Sequence, residues 1–162
     1  MATPSQDFFL DTNELSQAVP TQLGQFIKLE RAFNLYSNDL SSAIPSELGE
    51  LAKLTEGFDI HFNKLSNAIP TQLGIIPKLA NSFKLNANSL SNAIPTELGK
   101  LTKLTEDFTL DTNALEFQIP TELGMLTDLT SGFTLSTNQL TGCIPVGPAP
   151  GSGFGFGFGS LP

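Results

Sequence analysis

Few residues in this chain could perform covalent chemistry. The 162 residues contain one histidine, His61, and one cysteine, Cys143, which lie more than three turns of an internal repeat apart. That separation argues against a Cys–His nucleophile pair and against a metal cluster. The carboxylates of Asp11 and Asp111 are four repeats apart, whereas glycosidases need two carboxyl groups about 5–10 Å apart. No Gly-rich phosphate loop precedes a helix. We therefore predict no enzyme activity, no catalytic residue, no cofactor and no metal site.

The sequence contains more residues that are suited to non-covalent binding. Aromatic rings next to hydrogen-bonding and charged groups suit the binding of a protein or a sugar. We define a recognition patch of seven such residues: Asn34, Tyr36, Asp59, His61, Phe62, Lys84 and Asn86. The competing interpretation is that these positions drifted without a function, because scattered exposed apolar residues are normal.

A strict internal repeat must position these residues. Six prolines recur at an identical spacing, without an insertion: Pro20, Pro45, Pro70, Pro95, Pro120 and Pro145. Self-similarity at a fixed period is typical of a solenoid, in which each turn contributes to the core of the next. Five full turns and a half turn are predicted over residues 8–145. A single turn cannot bury enough apolar surface to offset its own ordering entropy, so stability is collective.

The positions that keep the same residue type in every turn indicate its local structure. Apolar residues at i and i+2, as in Phe33 and Leu35, predict a short strand with both side chains facing inward. The residue after each Pro, such as Thr21 or Ser46, is interpreted as the cap of a short helical turn that ends at Leu-Gly. One asparagine per turn is expected to form a structural ladder that satisfies buried backbone groups: Asn13, Asn38, Asn63, Asn88, Asn113 and Asn138.

Three positions of each turn vary from one repeat to the next. They are the residue after Phe, the residue after Leu and the residue before Asn, and all three are expected to face outward. Adjacent strands lie about 4.8 Å apart, so each such position forms a row of neighbouring side chains. The recognition patch occupies these rows in the middle turns. A function, if the repeat carries one, is expected there.

The motif N-x-L-x-x-x-I-P-x-x-L-G resembles the plant-type leucine-rich-repeat family over residues 8–145. The resemblance implies a right-handed leucine-rich-repeat solenoid. A parallel β-sheet would form its concave face, and short 3-10 or irregular segments its convex face. Plant-type members are commonly extracellular recognition surfaces, as in receptor-kinase ectodomains and polygalacturonase-inhibiting proteins. The implied function is a non-enzymatic scaffold that binds a protein or peptide through the concave face, with a cell-wall carbohydrate as the alternative.

The chain departs from the family pattern in three ways. Each turn has one extra residue before the strand Phe, such as Gly57, where we expect a local bulge. The family glycine after Leu-Ser survives only as Gly142; if the backbone there needs a positive φ, Phe117 is expected to be strained. The Cys-rich flanking caps of secreted members are missing.

Composition limits the partners. The net charge is −8, so a nucleic acid and an anionic membrane surface are both disfavoured. No apolar run is long enough to span a membrane, and the first residues lack the features of a signal peptide. The resemblance suggests an extracellular location if the chain is part of a longer precursor, and otherwise a cytoplasmic one. Nothing in the sequence indicates an oligomeric state.

The two ends of the chain fall outside the repeat. Residues 1–7 are interpreted as an N-terminal extension, and the Gly/Phe/Pro-rich residues 146–162 as a disordered tail. Two alternatives to a protein-binding scaffold remain: an ice-binding solenoid, which could use a regular hydroxyl row, and a fragment of a larger leucine-rich-repeat receptor.

Overall fold

The computed structural model describes residues 7–145. The predicted tail and all of the predicted N-terminal extension except Asp7 lie outside the described residues. Within them, the chain forms a solenoid of stacked turns that contains two parallel β-sheets and five 3-10 segments. This architecture confirms the predicted leucine-rich-repeat fold.

The first sheet forms because every turn places Phe and, two residues later, Leu or Ile toward the interior. Its strands pair in parallel so that each residue lies opposite its equivalent in the next turn, with Phe33 opposite Phe58 and Phe58 opposite Phe83. The six strands are, in spatial order, β1 (Asp7–Phe9), β3 (Ala32–Asn34), β5 (Gly57–Asp59), β7 (Ser82–Lys84), β9 (Phe108–Thr109) and β11 (Phe133–Thr134).

Aromatic stacking runs through the core along this sheet. The phenylalanine rings of successive turns stack with centroid separations from 5.3 Å for Phe8–Phe33 to 5.7 Å for Phe83–Phe108. Four of the six rings are completely buried: Phe33, Phe58, Phe83 and Phe108. Leucine and isoleucine columns fill the rest of the interior. Each turn therefore covers the apolar side chains of its neighbours.

The expected bulge before the strand Phe is absent in the central turns. Ala32, Gly57 and Ser82 are regular strand residues that lie opposite one another. Irregular backbone occurs only later, where Asp107 and Gly132 have φ values of 46° and 75°. The extra residue therefore lengthens the strand and adds one more outward row to the first sheet.

A second parallel sheet, which we did not predict, follows the asparagine of each turn. Its strands do not pair equivalent residues: Gln17 lies opposite Leu40, two positions before its equivalent Ser42. The second sheet is therefore staggered by two residues per turn relative to the first. Its strands are β2 (Ser16–Ala18), β4 (Asp39–Ala43), β6 (Lys64–Asn67), β8 (Ser89–Ala93), β10 (Ala114–Gln118) and β12 (Gln139–Thr141).

The predicted helical turns are 3-10 segments, but the predicted hydroxyl caps are wrong. The residue that precedes each segment is Pro, and no side chain caps the segment. Proline suits this place because its φ is fixed near −65°. From the second segment on, the hydroxyl group bonds to the next side chain instead, as from Thr96 to Glu97 at 3.3 Å. Each segment also includes the Gly and one further residue: Thr21–Gln25, Ser46–Glu50, Thr71–Ile75, Thr96–Lys100 and Thr121–Met125.

The asparagine side chains join consecutive turns. The Asn88 amide nitrogen donates to the carbonyls of Leu85 and Asn86 in its own turn, at 3.1 and 3.3 Å. It also donates to the carbonyl of Ile60 in the preceding turn at 3.2 Å, while its oxygen accepts the backbone N–H of Leu65 at 3.0 Å. The same set of partners recurs at Asn38, Asn63, Asn113 and Asn138. One side chain per turn thus satisfies backbone groups where the chain leaves the first sheet.

The backbone of each turn has two left-handed residues. One precedes the asparagine, as at Phe62 with φ 49°. The other lies at the position of the family glycine, and its φ is 67° at Asn92, 66° at Phe117 and 86° at Gly142. Asparagine and glycine tolerate this region, whereas a bulky aromatic residue is strained there. Phe117 therefore carries the strain that the sequence suggested.

We expect Asn88→Ala to lower the free energy of unfolding by about 2–3 kcal/mol, because it leaves several part-buried backbone groups without partners. Asn13→Ala is the matched control, since Asn13 is exposed and, within residues 7–145, donates only to Leu10 and Asp11 of its own turn. The control should lose less than about 1 kcal/mol. Urea unfolding of both variants checks this, and equal losses would contradict the role assigned to the inter-turn bonds.

We expect Phe117→Gly to raise the free energy of unfolding by about 1 kcal/mol by relieving the left-handed strain. Little burial is lost, because Phe117 is 57% exposed. Asn92→Gly occupies the equivalent position and should change stability much less. The two variants are compared by guanidinium unfolding; a gain no larger at Phe117 than at Asn92 would show that the aromatic residue is not strained.

Candidate functional site

The recognition patch lies on the outward surface of the first sheet and its continuation. Because side chains alternate along extended backbone, Asp59 at the end of β5 and His61 just after it face outward, while Phe58 and Ile60 are buried. Asp59 lies opposite Lys84 and next to Asn34 on the other side. The central turns thus place the polar members of the patch on adjacent strands.

Three aromatic side chains form the centre of the patch. The rings of Tyr36 and His61 stack with centroids 4.9 Å apart and an interplanar angle of 21°. The Phe62 ring lies 4.9 Å from His61 at an angle of 51°. Phe62 is 59% exposed, so its ring is available to a partner. We call these three residues the aromatic platform.

Asp59 fixes the orientation of His61. Its Oδ1 is hydrogen-bonded to Nδ1 of the His61 ring and also accepts the backbone N–H of His61 at 3.2 Å. The side chains of Asp59 and His61 are only 15% and 18% exposed. The imidazole is therefore held in one position by a carboxylate on one edge and by Tyr36 on one face.

The other polar members of the patch do not converge on the platform. Lys84 turns to the next strand, where its Nζ lies 2.8 Å from Oδ2 of Asp107. The Asn86 side-chain oxygen accepts the Thr109 hydroxyl at 2.9 Å, and the Asn34 oxygen accepts the backbone N–H of Tyr36 at 3.3 Å. These bonds hold the three side chains in place.

A hollow of about 240 Å³ lies beside the platform and was missed by the sequence analysis. Gly57 is central to it, between Ala32 of one neighbouring strand and Ser82 of the other. Its full lining is Ala32, Phe33, Asn34, Glu56, Gly57, Asp59, Asn81 and Ser82. The available signal was Gly57 itself, in the outward row that we interpreted as a bulge.

One cation already binds at the edge of this hollow. The Arg31 guanidinium donates to both carboxylate oxygens of Glu56 at 2.9 and 3.3 Å, and lies 3.4 Å from Asp7. The hydrogen bond from Arg31 to Glu56 and the charge of Asp7 raise the pKa of Arg31. The start of strand β5 is thus compatible with a planar cationic group.

A larger cavity, of about 430 Å³, opens at the first turn of the solenoid. Phe8, Phe26, Ile27 and Leu29 supply its apolar lining. Phe26 and Ile27 are 42% and 55% exposed. Among residues 7–145 this surface is the edge of the apolar core at the first turn, and it lies outside the recognition patch.

The described part of the chain offers neither a cluster of metal ligands nor a membrane-spanning helix. Among residues 7–145, no group of three or more His, Cys, Asp or Glu side chains could hold a metal ion. The same residues contain no helix long and apolar enough to cross a bilayer.

Comparison with solved structures identifies similar proteins. The plant peptide hormone receptor RGFR1, solved in complex with RGF2, is 36% identical with a TM-score of 0.77, over 86% of this chain and 22% of that chain. The ectodomain of the Arabidopsis receptor kinase HAESA, in complex with an extended IDA peptide hormone, is 34% identical with a TM-score of 0.72, over 82% and 22%. The BIR2 ectodomain from Arabidopsis thaliana is 34% identical with a TM-score of 0.57, over 65% and 53%.

The chain therefore spans 22% of the length of the two receptors. No protein-family model and no curated protein matches the chain.

Proposed function

Because this chain belongs to the plant-type leucine-rich-repeat family, we propose that it is a non-enzymatic recognition scaffold that binds a peptide or protein through the recognition patch. The family supports the kind of partner, since the similar receptor structures contain bound peptide hormones. The receptor similarity also supports an extracellular location for this function if the chain is part of a longer precursor.

The observation that carries the proposal is the aromatic platform. Phe62 presents an exposed ring beside a Tyr36–His61 stack that Asp59 holds in place. Large rigid rings supply contact area at a low cost in conformational entropy, which is why aromatic residues dominate the energetics of interfaces. A partner side chain could pack on Phe62 without first ordering the platform.

The proposed mechanism is pre-organisation. The strands below the patch are bonded to neighbours on both sides, and the polar members of the patch are held by bonds within the sheet. Binding therefore needs little ordering of the receptor surface, so more of the contact free energy appears as affinity. A peptide would supply the flexible component of the complex.

A carbohydrate is the second candidate, and the same exposed ring favours it. A sugar can pack on the face of Phe62 while Asn34 and Asn86 offer amide groups on the adjacent turns. The protein or peptide proposal remains first because the bound ligands of the similar receptors are peptides.

Selection from a random peptide display library tests the proposal. Immobilised wild-type chain is compared with the triple variant Tyr36→Ala, His61→Ala, Phe62→Ala. The matched control is Asp111→Ala, Ser136→Ala, Thr137→Ala, which changes the equivalent positions three repeats later. All three proteins are first matched for thermal unfolding. We expect peptides that bind the wild type and the control but lose at least about tenfold in affinity on the platform variant, as loss of an aromatic anchor predicts.

Three other outcomes would overturn the peptide proposal. Equal binding by all three proteins would place recognition elsewhere on the chain. No selected peptide, combined with platform-dependent retention on a glycan array, would favour the carbohydrate candidate. Thermal hysteresis in dilute solution without either kind of binding would favour the ice-binding alternative.

A further inference from the structure

We propose that the hollow around Gly57 binds the cationic head group of an arginine or lysine side chain in the partner. The inference rests on the proposed function, since the hollow lies on the same face as the aromatic platform. It adds the chemical class of a second contact, which neither the fold nor the platform specifies.

The hollow exists because one outward side chain is missing. Gly57 lies opposite Ala32 and Ser82, and all three belong to regular strands. The residue two places later on the same strand is Asp59, which faces the same side. A volume of about 240 Å³ is several times the roughly 30 Å³ share of one water molecule. A side-chain head group could therefore enter without movement of the backbone.

The polar lining favours a cation. Asp59 contributes a carboxylate, and Asn34, Asn81 and Ser82 contribute further oxygen atoms. The Glu56 carboxylate also lines the hollow, but both of its oxygens already accept hydrogen bonds from Arg31. Oδ1 of Asp59 is bonded to His61, while its Oδ2 has no hydrogen-bond partner among residues 7–145. A charged donor bound to a carboxylate makes a shorter and stronger hydrogen bond than a neutral donor does.

The nearest lysine does not occupy this position. Lys84 is the neighbour of Asp59 in the strand register, but its ammonium group is bound to Asp107 in the following turn. Arg31 is engaged with Glu56 and Asp7 on the other side. Asp59 lines the hollow and keeps one carboxylate oxygen without a hydrogen bond from residues 7–145. The Arg31–Glu56 pair shows that a carboxylate at this edge of the sheet can bind a guanidinium.

The distance from the hollow to the platform constrains the partner. Gly57 and His61 are four residues apart along one extended segment, or about 13 Å at roughly 3.3 Å per residue. An extended peptide covers the same distance in four residues. A partner that uses both contacts is therefore expected to carry a basic residue about four positions from an apolar or aromatic one.

Nuclear magnetic resonance titration tests the inference directly with a small probe. Isotope-labelled chain is titrated with N-acetyl-arginine amide and, as the neutral analogue of the same shape, with N-acetyl-citrulline amide. We expect saturable shifts of the Gly57, Asp59 and Ser82 amide signals with arginine, and binding at least about tenfold weaker with citrulline. Similar shifts with both probes, or shifts elsewhere only, would overturn the assignment.

Two variants and a matched control complete the test. Gly57→Ala places a methyl group in the hollow; the added Cβ would lie 2.9 Å from the Ser82 hydroxyl, which can rotate away. Alanine already occupies this row at Ala32, so folding should be retained. Gly57→Ala should weaken arginine binding because it narrows the hollow, and Asp59→Asn should weaken it about tenfold because it removes the charged acceptor. Asp111→Asn, which changes another outward aspartate, should leave it unchanged.

The outcomes separate this inference from the proposed function. Platform-dependent peptide binding without arginine shifts at Gly57 would overturn the cation site and leave the scaffold function standing. Arginine shifts that weaken in Asp59→Asn, with no peptide selected by the platform, would support the cation site and overturn the peptide function. Retention of full arginine affinity in Asp59→Asn would also overturn the cation site.

Discussion

The asparagine amide that joins consecutive turns is the interaction on which the rest of the structure depends. A single side chain bonds carbonyls of its own turn, a carbonyl of the preceding turn and an N–H of the preceding turn. These partners lie at a fixed offset, so an insertion between one asparagine and the next would break part of the set. The constraint explains why the repeat keeps the same period from one turn to the next. It also explains why a turn is stable only in contact with its neighbours.

The strict period made the first sheet predictable. The Phe and Leu columns carry a strong inward signal, and the stacked, buried rings match it. The second sheet gave no comparable signal, because a strand such as Asp39–Ala43 contains one buried apolar residue among Asp, Ser and Ala. Those residues have little strand preference of their own. Strands of the second sheet pair because the first sheet and the asparagine bonds stack the turns on one another. Sequence periodicity therefore does not predict this pairing.

The candidate site was predictable in its composition and unpredictable in its contacts. Outward positions can be read from alternation, so the sequence placed Tyr36, His61 and Lys84 on one surface. Which neighbour a long side chain chooses depends on competition between several partners at similar distance. Lys84 has an aspartate opposite it, at Asp59, and another in the next turn, and it bonds to the second. The hollow was not predictable because it depends on the missing side chain of Gly57. Gly57 is the extra residue of its turn, and we had expected a bulge at that position.

The division between constant and variable positions determines what kind of function this fold can support. Core and ladder residues are fully engaged, so a change there costs stability before it can alter a partner. The outward polar side chains are mostly bonded to one another, which makes the surface rigid and leaves few groups free for a ligand. The exposed face of Phe62 and the open oxygen of Asp59 are two of those few. A ligand that uses both would gain contacts without breaking a bond of the sheet, and for this reason the partner that we propose combines an apolar group with a cation.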